Sequence, residues 1–317
     1  MSLSVFLEVV EIRTKVASVF PFIMGVLFSL VYFHEFHPLN TVIFFLGMLL
    51  FDLTTTSINN YMDFKKAKSE TYKYQHNVIG RENISEATVR NLIFAMLAGT
   101  LLIGLYLTFV TGWLLLVMGL VVCFIGVFYT FGPIPLSRMP LGEVFSGVTM
   151  GLGIFAITIY INTIDQKVFY LALDFANGTF GLVGNLWAVC AIVLASLPLI
   201  FTIADIMLAN NLRDLEADIE NHRYTLVYYI GREAGIRLFQ GMILASYAAI
   251  LLGLLFGLFQ WPILLVFLTL PKICQNLKEH QASLPHPRSF GYSIKNMILF
   301  NSSYALGLLL CLLWQLL

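Results

Sequence analysis

The sequence predicts an all-α membrane protein of nine transmembrane helices, in which helices 2–3 and 6–7 are related by an internal repeat. Of its 317 residues, 59% are hydrophobic and only 11% are charged, a balance far from that of a soluble domain. The hydrophobic residues form runs close to the ~20 residues that cross a bilayer. Two polar motifs also recur at one fixed offset. Residues 1–317 are therefore expected to form a single integral membrane domain.

The apolar runs define the nine helices. Helices 3 and 4 are separated only by Thr111 and Gly112, so they should form a tight hairpin. The eighth helix is shortened by Pro262 and Pro271, because proline lacks the backbone donor that a helix needs. The nine predicted helices cover residues 16–33, 40–62, 88–110, 112–131, 141–162, 186–211, 236–258, 260–277 and 295–316.

The distribution of basic residues predicts the orientation of these helices. With nine crossings, all of the 18 Lys and Arg residues except Lys167 fall on one side of the membrane. By the positive-inside rule that side is the cytoplasm. We therefore predict a multi-pass protein of the cell membrane with a cytoplasmic N-terminus and an external C-terminus. The formal net charge of zero argues against a nucleic-acid partner, and the four isolated cysteines do not form a disulfide framework.

The repeat consists of two motifs that each occur twice. Segments Asn59–Asp63 and Asn210–Asp214 both read N-N-x-x-D, and segments Ile79–Glu82 and Ile230–Glu233 both read I-G-R-E. The first motif moves from position 59 to 210 and the second from 79 to 230, which is 151 residues in both cases. This offset predicts two related half-sites, at about residues 40–110 and 186–258. The alternative is that membrane-helix ends acquired Asn and Asp independently.

The motif residues have the chemistry of a divalent-metal site. Carboxylates and amides are costly near hydrocarbon and are kept there mainly for function. Oxygen ligands of this kind suit Mg²⁺, which is usually bound by one or two carboxylates together with substrate phosphates. Asn211, Asp214 and Asp218 are spaced i, i+3 and i+7, so they fall on one helix face. Asp63, Asp214 and Asp218 are the candidate catalytic acids. The candidate metal ligands are Asn59, Asn60, Asp63, Asn211, Asp214 and Asp218.

Basic residues beside the motifs could bind the remaining phosphate charge. Lys65 and Lys66 follow the first motif, and Arg223 follows the second. The two lysines could equally serve orientation and contact lipid headgroups. Arg138 has a stronger case, because it ends the compact proline-rich segment 132–138 between helices 4 and 5.

Three separated segments resemble the UbiA superfamily of intramembrane aromatic prenyltransferases. The first is N-N-Y-M-D-F-K-K at residues 59–66. The second combines Tyr129 and Thr130 with G-P-I-P at 132–135 and P-L-G-E at 140–143. The third runs from Asn210 through Asp218 to Leu226. The resemblance covers about residues 16–316. Within the superfamily the chain looks most like the menaquinone branch, whose members prenylate 1,4-dihydroxy-2-naphthoate.

The resemblance implies a UbiA-like helix bundle and a Mg²⁺-dependent transfer. A polyprenyl group would pass from its diphosphate to the naphthoate ring, with loss of carbon dioxide, to give a demethylmenaquinone. The resemblance also implies Tyr129 and Asn210 as substrate-binding residues, beside the cations at Lys65, Lys66, Arg138 and Arg223. The sequence departs from the family pattern at Asn60, where an acid is usual, and at Ala67, which replaces a second acid.

Other functions remain open on the sequence alone. Another aromatic acceptor such as 4-hydroxybenzoate is the alternative within the same family. A membrane transporter is the alternative from a different class, because intramembrane acids also mark ion pathways. Against transport, the motif acids cluster at one membrane face beside Lys and Arg, although Asp205 lies deeper in helix 6. Prenyl chain length and oligomeric state are not predicted.

Overall fold

The structure is a computed structural model that describes residues 1–67, 70–129, 136–220 and 222–317, apart from the side chains of residues 13 and 72. The first helices along the chain are α1 Leu3–Val9, α2 Val16–Phe28, α3 Pro38–Lys66, α4 Val78–Arg81, α5 Glu86–Thr111 and α6 Trp113–Phe128. They are followed by α7 Gly142–Ser146, α8 Ile154–Asn162, strands β1 Phe169–Asp174 and β2 Thr179–Gly184, α9 Leu186–Arg213, α10 Leu215–Glu220, α11 Leu226–Ile230, α12 Arg232–Leu255, α13 Leu270–Ser283 and α14 Phe290–Gln315.

Short segments of π- and 3₁₀-helix extend several of these helices. A π-helix at Ser29–Phe33 prolongs α2, and a second at Gly147–Gly153 joins α7 to α8. A 3₁₀-helix at Trp261–Thr269 precedes α13. The remaining short segments are the 3₁₀-helices Ile12–Lys15, Leu136–Arg138 and Pro287–Ser289, and the π-helix Tyr72–His76.

The chain divides into two compact units. The first contains Met1–Val19 and Pro38–Pro135. Its core lies between α1, the end of α3, α4 and the start of α5, and Ile79 is fully buried there. Ser85 begins α5 by accepting a hydrogen bond from the backbone of Thr88 at 3.1 Å, which satisfies one free donor of the first turn. Gly112, with φ +112°, makes the tight turn expected between α5 and α6.

The second unit contains Phe20–His37 and Leu136–Leu317. Its core surrounds α9 and is rich in fully buried aromatic rings, among them Phe155, Phe300 and Tyr304. The π-helix Gly147–Gly153 lies directly on α9, because a Cβ atom at Gly151 would come within 2.6 Å of the backbone nitrogen of Ile200. This close approach holds the start of the α7–α8 segment against the helix that carries the second motif.

Seven helical segments of the described chain are long and apolar enough to cross a membrane. They are Val16–Phe33, Pro38–Lys66, Glu86–Thr111, Gly142–Asn162, Leu186–Arg213, Arg232–Leu255 and Pro287–Gln315. Helix α6 corresponds to predicted helix 4 but has only 16 residues, or about 24 Å at 1.5 Å per residue. Predicted helix 8 is divided into the 3₁₀-helix Trp261–Thr269 and α13. The all-helical membrane fold is confirmed, whereas the count of nine crossings is not.

The two copies of the repeated motifs adopt different local conformations. The first N-N-x-x-D copy lies inside α3, which continues to Lys66, whereas α9 ends at Arg213 within the second copy. Gly80 lies within α4, but Gly231 has a left-handed φ of +80° and separates α11 from α12. The structure therefore does not confirm the internal repeat.

The apolar runs of the sequence do not predict the β-hairpin. Strands β1 and β2 pair in antiparallel register between α8 and α9, in a segment where the sequence predicts no helix. The turn is set by Asp174, which accepts backbone hydrogen bonds from Ala176 and Asn177, and by Gly178 at φ +64°. Alternation of apolar and polar residues in strands this short is a weak signal beside the long apolar runs of the neighbouring helices.

Candidate active site

The second motif lies where α9 ends. Helix α9 begins at Asn185, whose side-chain oxygen accepts a hydrogen bond from Ala188 N at 3.0 Å. Its 28 residues carry the chain over about 40 Å to Asn211. The helix stops at Asp214, which is the C-cap, and α10 follows at once. The polar motif is therefore displayed at the end of a long apolar helix, as the sequence predicted.

Asp214 is held by its neighbour Arg213 in a two-pronged ion pair. Nε of Arg213 donates to Oδ1 of Asp214 at 2.6 Å, and Nη2 donates to Oδ2. Nη2 also donates to the side-chain oxygen of Asn210 at 2.7 Å. The same guanidinium lies 5.1 Å from the ring centroid of Phe290. Asn210 thus contacts the arginine that fixes Asp214, and a bound cation would have to share this carboxylate with Arg213.

Asn211 is buried and is held by Glu143. The Nδ2 group of Asn211 donates to Oε1 of Glu143 at 2.8 Å, and both residues are less than 5% exposed. With its nitrogen engaged in this way, the amide presents its oxygen for ligation. Oε2 of Glu143 is buried and has no hydrogen-bond partner in the described part of the chain. The sequence alone assigned no role to Glu143. An acid at the start of a predicted membrane helix is nevertheless a signal that could have identified it as a functional residue.

Asp218 lies in α10, is buried, and is surrounded by charges. Burial raises the pKa of its carboxyl to about 6, and the charge of Asp214 adds to the rise, while Arg223, Arg213 and Arg138 oppose it. The backbone nitrogen of Arg223 donates to the carbonyl of Asp218 at 2.8 Å. Arg138 and Arg223, predicted from distant parts of the sequence, therefore both lie within electrostatic range of this carboxylate.

Arg223 has a donor available for a ligand. Its Nε atom is buried, and no hydrogen-bond partner for it exists among residues 1–67, 70–129, 136–220 and 222–317. Buried donors are almost always paired in folded proteins. An anion beside Asp218 would accept a hydrogen bond from the Nε group of Arg223. Diphosphate binding is the role that the sequence predicts for this residue.

Asp205 is also on α9 but lies deeper, at 4% exposure. Its Oδ1 atom has no hydrogen-bond partner within the described residues. The sequence assigned it no role, and the structure does not connect it by any hydrogen bond to the motif at the end of the helix.

The first motif lies near the end of α3, where Asn59, Asn60 and Asp63 are all partly buried. Asn59 and Asp63 are one helical turn apart and share a face. The amide nitrogen of Asn60 donates to the carbonyl of Val9 at 2.9 Å and to Glu11 at 3.2 Å. This contact ties the N-terminal segment to the motif, and it leaves the amide oxygen of Asn60 as the atom suited to a cation.

A buried ion pair lies two turns before this motif. Lys15, which is 5% exposed, donates to Oδ1 of Asp52 at 2.8 Å, and the other oxygen of Asp52 accepts from Ser18 at 2.6 Å. Lys15 also donates to Thr56 at 2.5 Å. In the sequence, Lys15 is only one of the basic residues whose distribution predicts the orientation of the helices. Its pairing joins positions 37 residues apart, which no local pattern predicts.

Of the other predicted residues, two lysines lie at the surface, and one tyrosine lies next to a segment outside the described residues. Lys65 and Lys66 are exposed at the end of α3, where the Lys65 ammonium is 5.8 Å from the ring centroid of Tyr61. Tyr129 is partly buried and caps α6. Thr130 and the G-P-I-P segment at 132–135 lie outside the described residues, as does Lys68.

Within the described residues, one group of His, Asp and Glu side chains has ligand atoms mutually within 4.8 Å, namely Glu35, His37 and Asp165. They lie near the ends of the π-helix Ser29–Phe33 and of α8, away from both motifs in the chain. The charge of Asp214 raises the pKa of the Asp218 carboxyl, so the two carboxylates lie within electrostatic range. The second motif and its surroundings therefore combine an amide oxygen, two carboxylates and three arginines.

The chain is similar to known proteins over most of its length. A model of the UbiA prenyltransferase family matches residues 18–281. The 1,4-dihydroxy-2-naphthoate octaprenyltransferase of Bacillus subtilis strain 168 is 27% identical over 271 residues, which is 84% of this chain and 78% of the relative.

Solved structures show the same fold. The apo structure of a UbiA homolog from Aeropyrum pernix K1 superposes with a TM-score of 0.65 at 13% identity, covering 90% of this chain and 96% of that one. A UbiA homolog from Archaeoglobus fulgidus bound to DMAPP and Mg²⁺ superposes with a TM-score of 0.61 at 12% identity, covering 94% and 98%.

The fold and the site define an all-helical membrane enzyme with an acidic, amide-containing motif at the end of an apolar helix. The chain belongs to the UbiA prenyltransferase family. It is a prenyltransferase, and the transporter alternative is set aside.

Proposed function

We propose that this enzyme transfers a polyprenyl group from a polyprenyl diphosphate to 1,4-dihydroxy-2-naphthoate, with loss of carbon dioxide. The product would be a demethylmenaquinol, the hydroquinone form of a demethylmenaquinone. The observation that carries this choice of acceptor is the similarity, over 84% of the chain, to a naphthoate octaprenyltransferase. The pattern N-x-Y-x-D-F-K-K at residues 59–66 also favours the menaquinone branch.

The donor atoms of the motifs fit Mg²⁺. They are carboxylate and amide oxygens, the ligands that this hard cation prefers. A buried carboxyl such as Asp218, whose pKa is raised to about 6, regains its charged form most easily when a cation binds beside it. Structures of a UbiA homolog from Archaeoglobus fulgidus were solved with DMAPP and Mg²⁺ and with GPP and Mg²⁺. We propose that each motif supplies ligands for Mg²⁺ and leaves coordination positions open for the phosphates of the substrate. The proposed ligands are Asn59, Asn60 and Asp63 of the first motif, and Asn211, Asp214 and Asp218 of the second.

Bound Mg²⁺ would neutralise the diphosphate and so improve it as a leaving group. Arg223 is suited to a diphosphate oxygen, because its buried Nε has no hydrogen-bond partner in the residues that the structure describes. Arg138, whose charge reaches Asp218, is suited either to the diphosphate or to the carboxylate of the acceptor. Lys65, Lys66, Tyr129 and Asn210 complete the proposed substrate-binding set.

The proposed reaction breaks the allylic C–O bond, and the electron pair leaves with diphosphate. The prenyl carbon then accepts an electron pair from the naphthoate ring at the carbon that bears the carboxylate. The bond to the carboxylate breaks, carbon dioxide leaves, and its electron pair restores the aromatic ring. Aromatic and aliphatic side chains of the helices would keep water from the allylic cation.

The test uses purified full-length enzyme in lipid nanodiscs with Mg²⁺ and radiolabelled polyprenyl diphosphates of several lengths. The naphthoate, labelled at its carboxyl carbon, should give one released carbon dioxide for each prenylated product. 4-Hydroxybenzoate is the competing acceptor, and Asp218→Asn is the inactive control. Prenylation of 4-hydroxybenzoate without carbon dioxide release, combined with no use of the naphthoate, would overturn the proposed acceptor. Arg138→Gln should raise the KM of whichever anion Arg138 contacts.

A further inference from the structure

The hairpin of β1 and β2 divides its side chains into two faces of opposite character. Its register pairs Leu171 with Leu182 and Leu173 with Phe180. In an antiparallel pair, opposed residues share a face, and along each strand every second residue returns to that face. One face, which we call the apolar face, therefore carries Phe169, Leu171, Leu173, Phe180 and Leu182.

The opposite face is less apolar. It carries Tyr170, Asp174 and Thr179 together with the smaller side chains of Ala172 and Val183 and with Gly181. The ammonium group of Lys167 lies 5.7 Å from the ring centroid of Tyr170. Asp174 also accepts a hydrogen bond from the side chain of Asn177 at 2.7 Å, and this bond lowers the pKa of its carboxyl. The hairpin is thus amphipathic, with its charges on one face and at the turn.

The exposed part of the apolar face lies on β2, and the hairpin is fixed at its base. Phe180 is 80% exposed and Leu182 is 71% exposed. At the other end, the ring of Phe169 lies 5.5 Å from that of Tyr160 and packs against the core. The backbone nitrogen of Asn185 donates to the carbonyl of Val168 at 2.8 Å, which closes the base. The exposed apolar side chains therefore sit on an anchored element.

The segment that follows the hairpin in the chain is a candidate membrane span. This segment is helix α9, which starts two residues after β2. Its first turn exposes Leu186 and Trp187, the latter at 78%. Tryptophan is enriched where a helix enters the membrane. Because the apolar face leads directly into this turn, the bilayer is the partner that can cover both.

We propose that the hairpin lies in the membrane surface at this end of α9, with its apolar face against the acyl chains. The face that carries Tyr170 and Thr179, with Lys167 above it, is turned to the headgroups and water. Amphipathic elements with one apolar and one charged face lie in the plane of the interface in this way. The hairpin is then a membrane-inserted element and not a solvated loop.

Spin labelling of the full chain in lipid nanodiscs tests this directly. After replacement of the four native cysteines, nitroxides are attached at Phe180→Cys, Leu182→Cys and, as the matched control on the opposite face, Thr179→Cys. Collisions with oxygen, which partitions into lipid, are compared with collisions with a water-soluble nickel chelate. Labels at 180 and 182 should favour oxygen several-fold over the chelate, and the label at 179 should favour the chelate.

Two outcomes would overturn the proposal. If all three labels favour the nickel chelate, the hairpin stands in water. If the labels at 180 and 182 are shielded from both reagents and show spin–spin broadening that disappears on dilution with unlabelled protein, a second copy of the chain covers the face. Using two labelled positions on the apolar face guards against failure of one variant to fold.

Discussion

The side-chain amide of Asn211 donates a 2.8 Å hydrogen bond to the buried carboxylate of Glu143. The two residues lie 68 positions apart in the sequence, and the π-helix Gly147–Gly153 brings their segments together by its contact with α9. The bond fixes which end of the Asn211 amide faces the motif. Glu143 is in this sense a positioning residue, because it acts on a proposed metal ligand and not on the metal itself.

Replacement of Glu143 should lower the affinity of the enzyme for Mg²⁺. Loss of a residue that orients a ligand typically costs about 10- to 100-fold in metal affinity, so Glu143→Ala should raise the half-saturating Mg²⁺ concentration by about that factor. Glu143→Gln keeps an oxygen that can accept from Asn211 and should retain most of the affinity. The measurement is initial rate against Mg²⁺ concentration, with exposed Glu220→Gln as the control. Equal curves for the Ala variant and the wild type would contradict a positioning role.

Binding of a divalent cation should depend on pH through Asp218. The carboxyl is protonated below its pKa of about 6, and the protonated form cannot ligate. Affinity for Mn²⁺, measured by electron paramagnetic resonance without substrate, should therefore fall as the pH is lowered from 7 to 5. Arg223 lowers this pKa, so Arg223→Gln should move the fall to higher pH.

The effect of pH on the free energy of unfolding has the opposite sign to its effect on cation affinity. A carboxyl whose pKa is higher in the folded than in the unfolded state binds more protons when folded. Metal-free protein should therefore lose stability from this group as the pH rises from about 4 through 6. Exposed Arg237→Gln is the control for the loss of an arginine and should shift neither profile. An affinity that is constant from pH 5 to 7 would exclude Asp218 from the cation site.

Both motifs should be required for turnover. Asp63→Ala, Asp214→Ala and Asp218→Ala each remove a proposed metal ligand, so each should lower kcat by more than the about 100-fold that loss of an orienting residue can cost. Membrane insertion should persist in all three variants. Thermal unfolding should change little for Asp63→Ala and Asp214→Ala, because these two residues are only partly buried. Exposed Glu233→Gln is the matched control. Full activity of any alanine variant, or of the wild type in excess EDTA, would refute the metal assignment.

The pair of Lys15 and Asp52 should contribute to stability as a unit. Lys15 is 5% exposed and Asp52 is 18% exposed. Removing one partner should therefore cost up to about 3 kcal/mol, because the other charge stays largely out of water, whereas replacing both with apolar residues should be nearly neutral. Lys15→Met and Asp52→Leu should each lower the Tm in detergent, and the double variant should recover most of the loss. Additive losses in the double variant would show that the pairing is not the stabilising feature.

Cysteine accessibility should establish the topology. After replacement of the four native cysteines, a membrane-impermeant thiol reagent added outside intact cells should label cysteines at Asn177 and after Leu317, but not at Glu70 or Glu220. If α6 does not cross, Asn177 becomes inaccessible and Glu220 accessible. If the segment Trp261–Ser283 does not cross, only the result at the C-terminus changes. Each pattern therefore identifies which of the shorter segments fails to span.

The sequence by itself determined the class of fold and singled out the polar motifs to which the chemistry is assigned in the proposed function. Long apolar runs bury their backbone polar groups only as helices, so composition and run length were sufficient for the membrane assignment. The motifs at Asn59–Asp63 and Asn210–Asp214 were visible because polar groups in such a chain are rare. Positions Arg138 and Arg223 were also identified, and the structure brings both within electrostatic range of Asp218.

Tertiary structure decided which side chains pair with one another. The contacts of Glu143 with Asn211 and of Lys15 with Asp52 join residues 68 and 37 positions apart, and local pattern does not encode such pairings. It also decided that the repeated motifs differ in conformation, since α3 continues where α9 stops. The hairpin was not predicted because alternation over two strands of six residues is a weak signal beside the long apolar runs of the neighbouring helices. Periodicity reports which side chains share a face, but only packing determines what that face meets.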